Sequence, residues 1–223
     1  MRFRKMLPFM DKDELRQQAE EIINGDEKAG TVSLISMLPF MDEDDIDDLI
    51  VDIYHKIGKF RVILPFASED GVARLAWDMI ERENPAKLVE VLPFMDDDDV
   101  DKLFVAMAER GMTVDAMYPF VSEDGFHEVV KGYLEGRFDF DFSHAFPFMD
   151  DDDIDDLFVA FAQRGVADRS MYPFVSEDGF HRVLKDYLAG RYDFNFDEAY
   201  PFMDEDDIRK LFRNEIRKHR GEQ

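Results

Sequence analysis

Pro93-Phe94-Met95-Asp96-Asp97-Asp98-Asp99 and, 26 residues on, Pro119-Phe120-Val121-Ser122-Glu123-Asp124-Gly125 decide how this chain is read. Each stretch is a helix start. The Asp or Ser two residues after the Phe is a good N-cap, because its side-chain oxygen can accept from the free amides of the first turn. The apolar residue before the cap and the one four after it make a hydrophobic staple, Met95 with Val100 and Val121 with Phe126. Proline upstream helps to stop whatever precedes it.

Working outward, Pro-Phe recurs at Pro8, Pro39, Pro65, Pro93, Pro119, Pro147, Pro173 and Pro201. After the first interval of 31 the spacings alternate between 26 and 28, a double period of 54. One class of unit reads Pro-Phe-Met-Asp and then more acid. The other reads Pro-Phe-Val-Ser-Glu-Asp-Gly, with Pro65 opening a variant. Residues 93–146 and 147–200 agree at 36 of 54 positions, which marks a tandem duplication. The expected caps are Asp11, Asp42, Ser68, Asp96, Ser122, Asp150, Ser176 and Asp204, and the third helical residue of the Asp class, such as Glu14 or Asp153, completes a capping box.

Behind each cap, apolar residues recur at helical spacing, as in Val100, Leu103, Phe104 and Met107. Gly25, Gly58, Gly111, Gly136, Gly165 and Gly190 stand where the helices should end in a left-handed cap, and Asn84-Pro85 substitutes after the third. Short second helices are expected over Thr113 to Tyr118 and Pro85 to Leu92. One such unit cannot bury its own stripe, so neighbours must stack. The expected fold is all-α. It is a tandem helical-repeat array, an α-solenoid or compact superhelix of eight long-helix/short-helix units, forming one domain over 1–223 with a capping helix at 204–223.

The 52 acidic and 27 basic residues give a net charge of −25, which argues against binding nucleic acid or an anionic membrane directly. The absence of cysteine excludes disulfides and thiolate chemistry. No signal peptide and no run of 18 apolar residues is found, so a cytoplasmic location is expected. No glycine-rich phosphate loop, Ser-His-Asp order or HExxH stretch occurs. No catalytic residue, cofactor or metal-ligand set is therefore assigned.

Four adjacent Asp exceed what a cap requires. Calcium is the obvious ligand for such carboxylates, but the EF-hand spacing fails: counted from Asp150, the sixth position is Asp155 rather than Gly. Capping and a favourable helix-dipole interaction explain most of each run. The surplus points to a protein partner with a basic surface, met by Asp44, Asp47, Asp97, Asp98, Asp101, Asp151, Asp152 and Asp155. The leading expectation is a non-enzymatic interaction scaffold. The alternatives are an acidic decoy that mimics nucleic acid before a basic protein, and a divalent-cation-binding repeat protein. His127 and His181 share the fifth helical position with Asp101 and Asp155, so imidazole–carboxylate pairs between neighbouring helices are possible. The alternations Phe138 to Phe142 and Tyr192 to Phe196 read as connectors packed onto the core rather than as a binding edge.

Overall fold

The capping chemistry sets the element boundaries. The computed structural model describes residues 3–25, 30–82 and 85–221, and among these residues there is no strand. The helices are α1 (Phe3–Met6), α2 (Lys12–Asn24), α3 (Gly30–Met37), α4 (Glu43–Ile57), α5 (Glu69–Glu81), α6 (Pro85–Leu88), α7 (Asp97–Glu109), α8 (Glu123–Leu134), α9 (Asp151–Arg164), α10 (Glu177–Leu188) and α11 (Glu205–Arg220). Eight of these start at the residue after an expected cap. Backbone amides donate to the cap side chains as anticipated: Asp98 to Asp96 at 2.9 Å, Asp152 to Asp150 at 2.7 Å, and Gly71 to Ser68 at 3.2 Å. Asp42 is the exception. It takes no cap bond and pairs instead with Lys12 at 2.5 Å.

The Pro-Phe pairs lie within short 3₁₀ turns, such as Leu92–Phe94 and Phe146–Phe148, rather than ahead of a helix. Proline's fixed φ suits the first positions of a helical turn, where its missing amide has no partner to lose. The expected short helix at Thr113 to Tyr118 is a 3₁₀ helix, Asp115–Phe120, that runs through Pro119. The one over Pro85 to Leu92 is α6 followed by the turn Leu92–Phe94. Behind each turn the chain extends, and six of the eight staple residues are buried there, Met10 and Ala67 remaining half-buried. Met95 is 8% exposed beside Val100 at 2%.

Five of the six expected C-cap glycines adopt the left-handed region, φ between 65° and 73°. Gly25 does not: its φ is −81°, extended backbone that any residue adopts. Gly221 is left-handed and closes α11. Asn84 lies outside the described residues. No helix among the described residues is long and apolar enough to cross a membrane.

The chain divides into two compact units, Met1–Met107 and Ala108–Gln223. Within each, consecutive long helices pack against one another, α4 on α5 and α9 on α10. They run parallel, not antiparallel. In the first unit Asp48 meets Arg74 near the starts of α4 and α5, and His55 meets Asp78 near their ends. In the second, His127 meets Asp153 near the starts of α8 and α9, and Tyr133 receives a hydrogen bond from Arg164 near their ends. The 3₁₀ turns and connectors carry the chain back between them. The aromatic alternations belong to these return paths, and they pack as expected. Phe142 and Phe196 are buried, and Phe194 lies edge-on to Phe158 with centroids 5.7 Å apart.

Phe158 is fully buried between Tyr172, Phe180 and Phe194. Phe158→Ala should cost about 3–5 kcal/mol by chemical denaturation, as large-to-small core changes do. Phe148, 39% exposed on its 3₁₀ turn, should cost less than about 2 kcal/mol on the same replacement. Equal losses would mean that the face assignment is wrong.

Candidate functional site

The Asp runs are the natural place to look, and helix geometry sorts their members. Successive side chains turn by about 100°. The fourth helical residue, such as Ile154, points into the core. The third and fifth then lie on either side of it, each toward a flanking helix, while the second and sixth face outward.

The fifth residue is the one that reaches the next helix. In α4 it is Asp47 and in α9 it is Asp155, 7% and 2% exposed. Asp155 accepts from the Ser176 amide at 2.9 Å and from the Ser176 hydroxyl at 2.5 Å. Asp47 accepts from the Ser68 amide at 3.0 Å and from its hydroxyl. Each serine oxygen in turn accepts from its own first turn, Gly71 or Gly179. A buried carboxylate on one helix thus completes the N-cap of the next. Burial pushes the Asp155 carboxyl above its ordinary value, and the bonds from Ser176 oppose that rise.

This contact also explains the glycine of Ser-Glu-Asp-Gly. A Cβ at Gly71 would stand 2.0 Å from Asp47 Oδ1, and one at Gly179 would stand 2.3 Å from Asp155 Oδ1. Glycine is a poor residue inside a first turn. It is required here because a neighbouring carboxylate occupies the space.

The third residue turns toward the preceding helix instead. Asp153 lies 2.8 Å from His127 Nδ1, and Asp207 lies 2.9 Å from His181 Nδ1. Asp45 takes Arg16 at 2.5 Å. The expected capping boxes are therefore not made by Asp45, Asp153 or Asp207. Asp is too short to reach back to its cap amide, and the neighbouring cation is closer. The imidazole–carboxylate pairs do form, but with the third acid rather than with Asp155. The Asp153 bond holds the His127 imidazole above its ordinary pKa, while burial pushes the Asp153 carboxyl up against the opposing pull of His127. Lys210 also donates to Asp207 at 2.5 Å, and no three His, Asp or Glu among the described residues converge as metal ligands would.

Of the eight acids singled out from the sequence, Asp47 and Asp155 are thus committed to structure, and Asp101 at the same register is half-buried. Asp44, Asp97, Asp98, Asp151 and Asp152 are exposed, and their carboxylates take no ion-pair partner among the described residues. The groups on α7 and α9 each follow a surface aromatic that the sequence did not single out. Phe94, three residues before Asp97, is 48% exposed, and Phe148, three before Asp151, is 39% exposed. What betrays these rings is the residue before proline. Leu92 and Phe146 fill the core there, at 2% and 4% exposed, and leave the following Phe outside. The second unit also holds a pocket of about 250 Å³ lined in part by Tyr172, Phe194, Asp193 and Glu198. In comparisons with known proteins, no family, no curated protein and no solved structure matches the chain.

Two predictions test this geometry. Gly71→Ala should destabilise the protein by more than about 1 kcal/mol, although alanine is the better helix former. In an Asp47→Ala background most of that penalty should vanish, so that the double variant loses clearly less than the sum of the two single losses in a double-mutant cycle. Additive losses would show that Asp47 does not hold the space. The second concerns pH. The folded pKa of His127 lies above its unfolded value of 6.5, so its stabilisation is complete below pH 6.5 and is lost as pH rises through the folded value. The stability advantage of the wild type over His127→Ala should therefore shrink as pH rises from about 6 to 8. An advantage independent of pH would mean that the pair is not charged.

Proposed function

We propose that this chain is a non-enzymatic protein-interaction scaffold, built as a tandem array of eight stacked units with a 54-residue double period. It binds a partner that carries a basic, partly apolar surface. One observation carries the reading. Once the inward-turned acids are set aside, Asp44, Asp97, Asp98, Asp151 and Asp152 remain exposed with no ion-pair partner among the described residues, and the last four share their helix starts with the half-exposed rings of Phe94 and Phe148. Carboxylates steer a cationic partner and accelerate encounter. Aromatic rings next to them supply apolar contact area and take a guanidinium or ammonium against their faces. At the starts of α7 and α9 the acids and the rings occur together, so these two starts offer both. A cytoplasmic location suits a cysteine-free acidic chain.

A basic amphipathic peptide, alternating lysine with leucine at helical spacing, serves as a probe in fluorescence anisotropy and stopped-flow measurements. Exposed charges are screened beyond about 8 Å at physiological salt. Affinity should fall at least about tenfold between roughly 50 mM and 500 mM salt. The fivefold variant Asp44→Asn, Asp97→Asn, Asp98→Asn, Asp151→Asn, Asp152→Asn should slow association more than it speeds dissociation. Binding indifferent to both salt and these substitutions would overturn the proposal, as would an affinity unchanged by Phe94→Ser and Phe148→Ser.

A further inference from the structure

The outer face of α11 breaks the pattern of the other Asp-class helices. Phe212 stands 54 residues after Phe158 and Tyr200 stands 54 after Phe146, yet Phe212 is 65% exposed and Tyr200 41%, where their counterparts are 0% and 4%. The buried pair is covered by the following helix and its turn, with Phe158 against Phe180 and Phe146 against Phe174. The fifth residue changes as well. Where α9 has Asp155 to receive a serine cap, α11 has Arg209, whose guanidinium is held by Glu205 and Asp206 of its own first turn. An arginine there would repel the positive end of an incoming helix. The face therefore does not suit another unit of the same kind. It is apolar all the same: Ile208, Phe212 and Ile216 form a row at four-residue spacing, and two adjoining depressions share Phe212 and Glu215.

We propose that this face binds a second copy of the chain, with the two α11 helices antiparallel about a twofold axis through Phe212. The charge pattern selects this occupant. The helix is acidic at its start, with Glu205, Asp206 and Asp207, and basic at its end, with Arg217, Lys218, His219 and Arg220. Phe212 stands at the middle of its 16 residues. An antiparallel copy centred there lays Phe212 on Phe212 and Ile208 on Ile216. Arg209 then faces Glu215, and Glu205 faces His219, twice each by symmetry. These flanking pairs set acidic groups against basic ones, and the two helix dipoles oppose. A parallel pair would set like charge against like along the whole seam. The face shares no residue with the five carboxylates of the proposed function. One helix face is a small interface, which places the dimer in the weak range.

Sedimentation velocity between roughly 1 and 200 µM tests this, the upper concentrations being where a weak contact fills. The wild type should pass from monomer to dimer across that range. Phe212→Glu, at an exposed position, should keep the circular-dichroism spectrum and remain monomeric throughout. Arg209→Glu and Glu215→Arg should each be monomeric alone, because each sets like charges together at the seam. An equimolar mixture of those two variants should dimerise, since each then meets its complement. A wild type that stays monomeric at 200 µM would overturn the proposal, as would a dimer unaffected by Phe212→Glu or a mixture no more associated than its components.

Discussion

A carboxylate buried between two helix starts, Asp47 on Ser68 and Asp155 on Ser176, is the contact on which the other features depend. It can form only if consecutive long helices present their N-termini side by side, so it requires parallel packing and a return path after each helix. Those returns are the connectors and the Pro-Phe turns. It requires a serine whose amide and hydroxyl both donate outward while its oxygen still accepts from its own first turn. It also requires a glycine at the third helical residue, because the carboxylate fills the space of a Cβ. The motif Ser-Glu-Asp-Gly and the fifth-position Asp 21 residues before its serine are two halves of one device.

Parallel packing has an electrostatic consequence. Helices side by side in the same direction place their positive ends together, and each adds to the field at its neighbour's start. First-turn carboxylates offset that field. Every long helix here begins with at least two acids, and α11 ends with four basic residues at the opposite pole. A good part of the net charge of −25 is therefore a structural requirement of the packing direction. Only the acids beyond that requirement argue for a partner. Arg74 and Arg182 neutralise the outward sixth residues Asp48 and Asp156, which narrows the free set further.

The sequence showed what is local. A cap, a staple and a left-handed glycine are each settled within a few residues, which is why eight helix starts could be placed to the residue. Gly25 misled because a helix can also end by simply running into extended backbone, and nothing in the neighbouring residues distinguishes the two endings. The buried carboxylates were not read, because choosing among adjacent acids needs the direction of the next helix. The signal was nonetheless present. Glycine at Gly71, Gly125 and Gly179 opposes helix propensity in the first turn, and a recurring unfavourable residue marks a close approach. The surface aromatics were missed for a related reason. A Phe beside proline reads as core, and only the 3₁₀ turn shows that the residue before proline takes that role.

The acids of one run thus differ in kind although they differ little in sequence. In α9, Asp151 and Asp152 are exposed, whereas Asp153 and Asp155, one and three residues further on, are buried, hydrogen-bonded and raised in pKa by burial. The exposed pair is governed by ionic strength, since water and salt screen it. The buried pair is shielded from salt but answers to pH, because protonation changes the bonds it can accept. Screening the surface should therefore leave the fold nearly intact, and titrating the interior should loosen the packing between helices. A run of like residues in this chain is two mechanisms interleaved by the helical turn, and an experiment that varies salt alone addresses only one of them.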